Sequence, residues 1–344
     1  MRFKALIVLI LAAMPAQGQL MGPLHIRDMT PFNLLRLDMP PAPAVDPTVT
    51  QGWSIEAVLS RTNVFMMSDN VKDHLDRRGT DGPLTQDDAN AIAALGEDSY
   101  FVDGEIGLLD LTFQYGVAYV ALSVYDFTGG FLDATVDGFH DSFGLGNAGR
   151  DLVARDRFQA VASLQGQRIA FLGPPVDSGL GDPVIGVRRS WPLRSWALVL
   201  DGAAKIALRG ERPGLSTGSN DYGLQASLQR KLKRQGIYFS ASLVRTDGRV
   251  FGVPVGSHVV PTVTAAYEVS VTPRTNAVLQ LYASESAIRD TDIDEIKANK
   301  YQASLGLRSR RGKLVYGLAL TENVVNFQNT PDVGLSLTLG WLGG

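Results

Sequence analysis

The chain has 344 residues, no cysteine, 45% hydrophobic residues and a formal charge of −3. That is enough chain for a large core or one wide barrel, and its ordinary apolar content and modest charge exclude a disordered protein or a coiled coil. The missing cysteines exclude disulfides, Cys-ligated iron–sulfur centres, a thiol nucleophile and a lipidated N-terminal cysteine, and the negative balance leaves no footprint for nucleic acid.

Arg2 and Lys4 precede an apolar run from Ala5 to Met14, followed by Ala16-Gln17-Gly18. A charged start, a short apolar run and a small-x-small site read as a secretory signal peptide, residues 1–18, cut after Gly18. The apolar run is about ten residues, half of what a spanning helix needs. Cleavage leaves 326 residues (344 less 18), and loss of two cations takes the charge from −3 to −5. Residues 19–50 hold six prolines among 32 positions. Proline removes a ladder donor, so this is an extended tail and a candidate lumen plug rather than a strand. Residues 51–344 read as an outer-membrane β-barrel.

Segments of about ten residues alternate with period two, long enough for tilted strands to cross a bilayer. Trp196, Leu198, Leu200, Ile206 and Leu208 oppose Asp201, Lys205 and Arg209. Leu224, Ala226 and Leu228 oppose Gln225, Ser227, Gln229 and Lys231. Ile237, Phe239, Ala241 and Leu243 oppose Tyr238, Ser240 and Ser242. Tyr301, Ala303, Leu305 and Leu307 oppose Gln302, Ser304, Gly306 and Arg308. The closing segment Asp332–Trp341 places Leu335, Leu337 and Leu339 toward lipid and Ser336 and Thr338 toward a lumen, and is expected to pair back to Gly52–Asn63. Tight turns fall near Thr112, Gly166, Pro192–Arg194, Lys233–Gly236, Pro273–Thr275 and Arg311–Gly312. Longer links span 64–98, 128–154, 174–182, 210–220, 249–258, 289–299 and 324–331. The expected fold is all-β: a transmembrane antiparallel β-barrel of about fourteen strands, or twelve if the stretch near 155–173 does not cross. A soluble sandwich alternates too, with its apolar face inward. Export, the Ser-, Gly-, Gln- and Lys-rich inner phase, and aromatics near strand ends (Trp191, Trp196, Tyr238, Tyr301, Trp341) favour the membrane.

In the segment Gly129–Asp151, Phe131, Leu132, Val136, Phe139 and Phe143 fall on one side at helical spacing, which predicts a short loop helix near 131–143, folded over or into the barrel mouth. His25, His74, His140 and His258 are scattered without metal-ligand spacing. His140-Asp141-Ser142 has catalytic residue types, but neighbours on a helix point to different faces. Asp290, Asp292, Asp294 and Glu295 form an alternating acidic run without the glycine and distal glutamate of a calcium loop, so a solvated loop bridged by divalent ions to lipopolysaccharide is expected.

Several stretches resemble a proteobacterial outer-membrane family grouped as domain of unknown function 3187. These are Pro23–Pro31, Asp103-Gly104-Glu105, the G-G-F-L-D…F-H…F-G-L…G-R run of 129–150, Gly179-Leu180-Gly181-Asp182, Ser216–Asp221 and Asn329-Thr330-Pro331-Asp332. The resemblance implies a barrel and the outer membrane of a Gram-negative bacterium, and brings no activity. Charged members of these stretches, Asp133, His140, Arg150, Asp182 and Asp332, are the candidate ligand or lumen residues. No cofactor, metal, catalytic residue or enzymatic activity is expected. The expected partners are outer-membrane lipid and lipopolysaccharide, the barrel-assembly machinery and a small-molecule ligand of unknown identity.

A barrel of this size is too wide to stay empty without leaking, with the tail and the 128–154 loop as fillers. The expected function is a plugged channel or binding barrel for a small molecule, an apolar one included. The alternatives are a structural barrel that anchors envelope partners and, remotely, a lipase-type enzyme.

Overall fold

Period-two alternation closes into a ring. The computed structural model describes residues 19–44, 52–143, 149–325 and 333–343, and only the backbone at 139–143; the expected leader 1–18 and Asp332 lie outside them. The wall opens with β1 (Trp53–Met67), β2 (Ser99–Tyr115) and β3 (Ala118–Thr128). Short strands β4 (Gln159–Leu164), β5 (Gln167–Phe171) and β6 (Ser178–Leu180) follow. The wall resumes with β7 (Val184–Leu193), β8 (Trp196–Lys205), β9 (Asp221–Lys231) and β10 (Gln235–Thr246). A small hairpin, β11 (Arg249–Val250) and β12 (Val253–Pro254), precedes β13 (His258–Ser270), β14 (Thr275–Ser284), β15 (Lys300–Arg311), β16 (Leu314–Val325) and β17 (Val333–Leu342). β17 returns to β1 from Leu342↔Ser54 to Val333↔Asn63, and β3 joins β2 to β7, so 12 antiparallel strands close the barrel.

Twelve is the lower of the two expected counts. The 155–173 stretch makes β4 and β5, 6 and 5 residues long, against about 9–11 for a crossing strand. They extend the outer end of β2 through Ser99↔Ser163 to Asp103↔Gln159 instead of standing as staves. The first tight turn lies at Gly116–Val117 rather than near Thr112, because Gly116 supplies the left-handed φ of 57° that the turn requires. Short turns gather at one end and long links at the other, the periplasmic and exterior ends of a bacterial barrel.

Away from the long-link end, outward positions are mostly apolar and inward ones mostly polar. Leu335, Leu337, Leu339 and Trp341 are 45–56% exposed, while Ser336 is 5% exposed and meets Ser60 at 2.8 Å. A closed ring with this polarity is built to sit in lipid, and the protein is an outer-membrane barrel. Among the described residues no helix is long and apolar enough to cross a membrane. Arg189 lies 5.5 Å from the Trp191 ring and Arg230 5.6 Å from Trp196, an aromatic and cationic rim. Tyr238 departs from the expected girdle: it points inward and donates to Glu268 at 2.6 Å, because its position shares the polar phase of β10.

The link after β1 folds into two helices that periodicity missed, Asp69–Arg78 and Gln86–Ala93. Gly79 ends the first in the left-handed region, and Thr85 with Asp88 forms a capping box for the second. Val71, Leu75, Ala89 and Ile92 bury against Phe65, Met67, Phe101 and Val161. The expected loop helix is present as Asp133–Phe143.

Candidate functional site: the lumen and its filling

Five prolines lie among the described residues 19–44 and cannot donate to a ladder, so inward side chains of the wall satisfy this backbone instead. Glu268 accepts from the Met21 and Gly22 amides at 2.8 and 2.9 Å, and Gln280 from Leu24 at 2.9 Å. Arg308 donates to the Pro23 carbonyl at 2.7 Å. Further on, Asp221 accepts from Leu37 at 2.7 Å, and Lys205 donates to Leu35 at 2.7 Å. Gln229 donates to Ala42 and Pro43 at 3.0 and 2.9 Å. Glu268 and Gln229 lie toward the short-turn ends of their strands and Asp221 at a long-link end. The tail therefore rises from the short-turn mouth, reverses and descends; Ala44 donates back to Met21 at 3.3 Å.

The reversal spans residues 30–36. Asp28 closes it by accepting from the Thr30 amide at 3.0 Å and the Asn33 amide group at 2.6 Å. Phe32, Leu34 and Leu35 are buried in an apolar cluster with Tyr100, Ile106 and Phe127, beneath Val253, Ile288 and Ile293 of the long links. Phe32 meets Tyr100 edge-on at 6.4 Å.

Charge pairs line the lumen's other end. His25 Nδ1 lies 2.6 Å from Glu56, and Arg308 lies 3.5 Å from the same carboxylate. Burial alone would lower the His25 imidazole, but the Glu56 hydrogen bond and charge outweigh it and hold it above its ordinary value. Arg27 reaches Asp110 at 3.1 Å and Ser123 at 2.8 Å; Arg188 pairs with Asp201 at 2.7 Å, where Tyr119 also donates. Beside these pairs the tail leaves a cavity of about 190 Å³, bordered by His25, Glu56, Gln114, Tyr119, Arg188 and Arg310.

The candidate residues fall in different places. Arg150 lies between Asp103 and Asp133 and donates to both. Asn63 and the Asp156 amide also donate to Asp133, at 2.7 and 2.6 Å. Asn63, Asp103 and Glu105 occupy the outward phase of β1 and β2, so Asp133 and Arg150 pin the described residues 129–143 and 149–158 outside the lumen. Glu105 accepts from Phe131 and Leu132, both at 2.6 Å, and a β-carbon on Gly130 would fall 1.9 Å from its carboxyl carbon, which accounts for glycine there. Asp182 does border the cavity: a bulge between β6 and β7 turns it inward onto Ser216 at 2.6 Å. The His140 side chain and Asp332 lie outside the described residues, as do the side chains of Asp141 and Ser142. The acidic run includes a short helix, Asp294–Lys297, and among the described residues no cluster of three metal-binding side chains occurs. Periodicity put Arg308 on the inner phase but singled out none of Glu56, Arg188, Glu268 and Arg308 as site residues; the available signal was ionisable residues on the inward phase of apolar strands. His25, on the tail, was noted only as one of four scattered histidines.

No match to a curated protein was found. In shape the chain is similar to an outer membrane channel from Pseudomonas putida F1, with 12% identity, 87% of this chain and 99% of that one covered, and a TM-score of 0.48. It is also similar to the translocator domain of autotransporter NalP from Neisseria meningitidis (7% identity, 86% and 89% covered, TM-score 0.38). A third is the KdgM porin in complex with disordered oligogalacturonate (5%, 72% and 97%, 0.37). Identities and scores this low carry no functional argument. Residues 3–341 match the model of the family described as protein of unknown function (DUF3187), and the chain belongs to that family.

Proposed function

We propose that this barrel is a plugged channel, closed by the residue 19–44 hairpin, that passes or binds a small polar solute when the hairpin yields. One observation carries the reading: the hairpin fills the lumen through hydrogen bonds to inward side chains, with an open cavity of about 190 Å³ beside it. Such bonds are individually worth about 0.5–1.5 kcal/mol net, or 1.5–3 with a charged partner, and none of them belongs to the strand ladder that closes the wall. The cavity's ion-paired lining suits a polar occupant better than the apolar one included in the sequence expectation. Twelve strands also fall between eight, which side chains fill, and the sixteen or more that leave an aqueous channel.

Planar-bilayer recordings test this. The full chain is expected to be mostly closed, and a variant lacking residues 19–50 to conduct steadily. A deletion variant that is folded and equally closed would sink the channel reading.

A further inference from the structure

The apolar belt has a gap. Outward positions on β8 run Trp196, Leu198, Leu200 and then fall to Gly202 and Ala204. Their paired neighbours stay bulky: Val187 and Ile185 on β7, Leu224 and Tyr222 on β9, with Leu243 next on β10. Two successive positions without large side chains leave a lipid-facing groove of about 830 Å³.

One charged residue borders this groove, Arg245. It is the last outward position of β10, beside Tyr222 and Val259. At the opposite rim Ile237 pairs with Arg230. Eight residues separate Ile237 from Arg245, about 26 Å along the strand, which puts Arg245 at the outer edge of the apolar band. Its guanidinium reaches the Ser257 hydroxyl at 3.1 and 3.3 Å and pairs with no carboxylate among the described residues. Arg209 and Arg249 are exposed in the links just beyond β8 and β10. The neighbouring acids Glu211 and Asp247 accept from the Gly252 and Gly248 amides at 2.8 and 2.7 Å. By contrast Arg61, the outward arginine of β1, is paired with Glu105 and Asp126.

A slot for hydrocarbon capped by an unpaired cation at the outer leaflet has a definite complement. We propose that the groove binds one phosphorylated, multiply acylated glycolipid of lipid A chemistry, an acyl chain lying over Gly202 and Ala204 and a phosphate on Arg245. An apolar slot alone would take any lipid. The fixed guanidinium selects a phosphate oxygen by a charge-assisted hydrogen bond, in a region of low dielectric where that bond is strong. The site stands apart from the lumen and does not depend on whether the channel opens.

The test uses the full chain folded in detergent, with bisphosphorylated lipid A, its dephosphorylated form or phosphatidylglycerol added, and bound lipid counted by native mass spectrometry. One lipid A per barrel is expected. Gly202→Leu should empty the groove; a β-carbon there meets only Leu224, at 3.5 Å, so the wall tolerates the start of a side chain. Arg245→Gln, a change on an exposed face, should weaken the bisphosphorylated lipid by about tenfold, the scale of one charged hydrogen bond, and leave the dephosphorylated form unchanged. Wild-type binding by both variants would overturn the assignment, as would phosphatidylglycerol binding as tightly as lipid A. So would a two-copy species that excludes lipid, which makes a second chain the occupant.

Discussion

The two ends of the lumen are closed by different forces. At the long-link end Phe32, Leu34 and Leu35 are sealed among Tyr100, Ile106, Phe127 and Ile288. At the short-turn end the same tail is held by Glu268, Arg308 and the His25–Glu56 pair, next to open space. Burial of apolar area is non-directional and survives small displacements, whereas hydrogen bonds and ion pairs weaken steeply once geometry is lost. On the channel reading proposed above, the hairpin would loosen first at the short-turn end, and the apolar cap would be the last barrier to give way.

Four changes probe that contrast. Arg150→Ala should cost the most, about 3–5 kcal/mol, because it leaves the Asp103 and Asp133 carboxylates buried side by side without their cation. Urea unfolding of the folded barrel measures it, and conductance should not change, since the network lies outside the lumen. Glu268→Gln should cost about 1.5–3 kcal/mol of tail attachment, the value of hydrogen bonds to a charged group. Its readout is faster proteolysis of residues 19–44 from the short-turn side with the wall intact; an unchanged rate means the apolar apex alone holds the hairpin.

Thr85→Ala removes the cap of the Gln86–Ala93 helix and should lower stability by about 1 kcal/mol without touching the lumen. The smallest effect is one of pH. The raised His25 value means that its Glu56 bond contributes fully below 6.5 and is lost as pH rises through that raised value. Open probability should therefore climb with pH above 6.5, and His25→Gln should flatten the profile.

Much of the wall was legible in the sequence. Leu335, Leu337 and Leu339 face out and Ser336 faces in, as alternation requires, and Asn63 meets Val333 at the closure. The 159–171 hairpin imitates two staves because period two says nothing about where a strand stands. The two helices after β1 hid in a long polar link, although Thr85-x-x-Asp88 marks the start of the second. Prolines revealed that the tail is not a strand, yet its course depends on Asp221, Gln229 and Glu268, each more than 180 residues away in sequence. The same blindness extends to Asp133 and Arg150. Their motif was visible, but only the registry of Asn63 with Glu105 shows which face of the wall they cover.

The return of Ala44 to Met21 has a topological meaning. Both legs of the hairpin reach the same mouth, where β1 also begins at Trp53, so the tail is a loop pushed into a ring rather than a thread drawn through it. It can leave and re-enter without passing a chain end through the pore and without tying a knot. On the channel reading, one opening and closing would then be a local ordering of about 26 residues, reversible for as long as the ring itself stays closed.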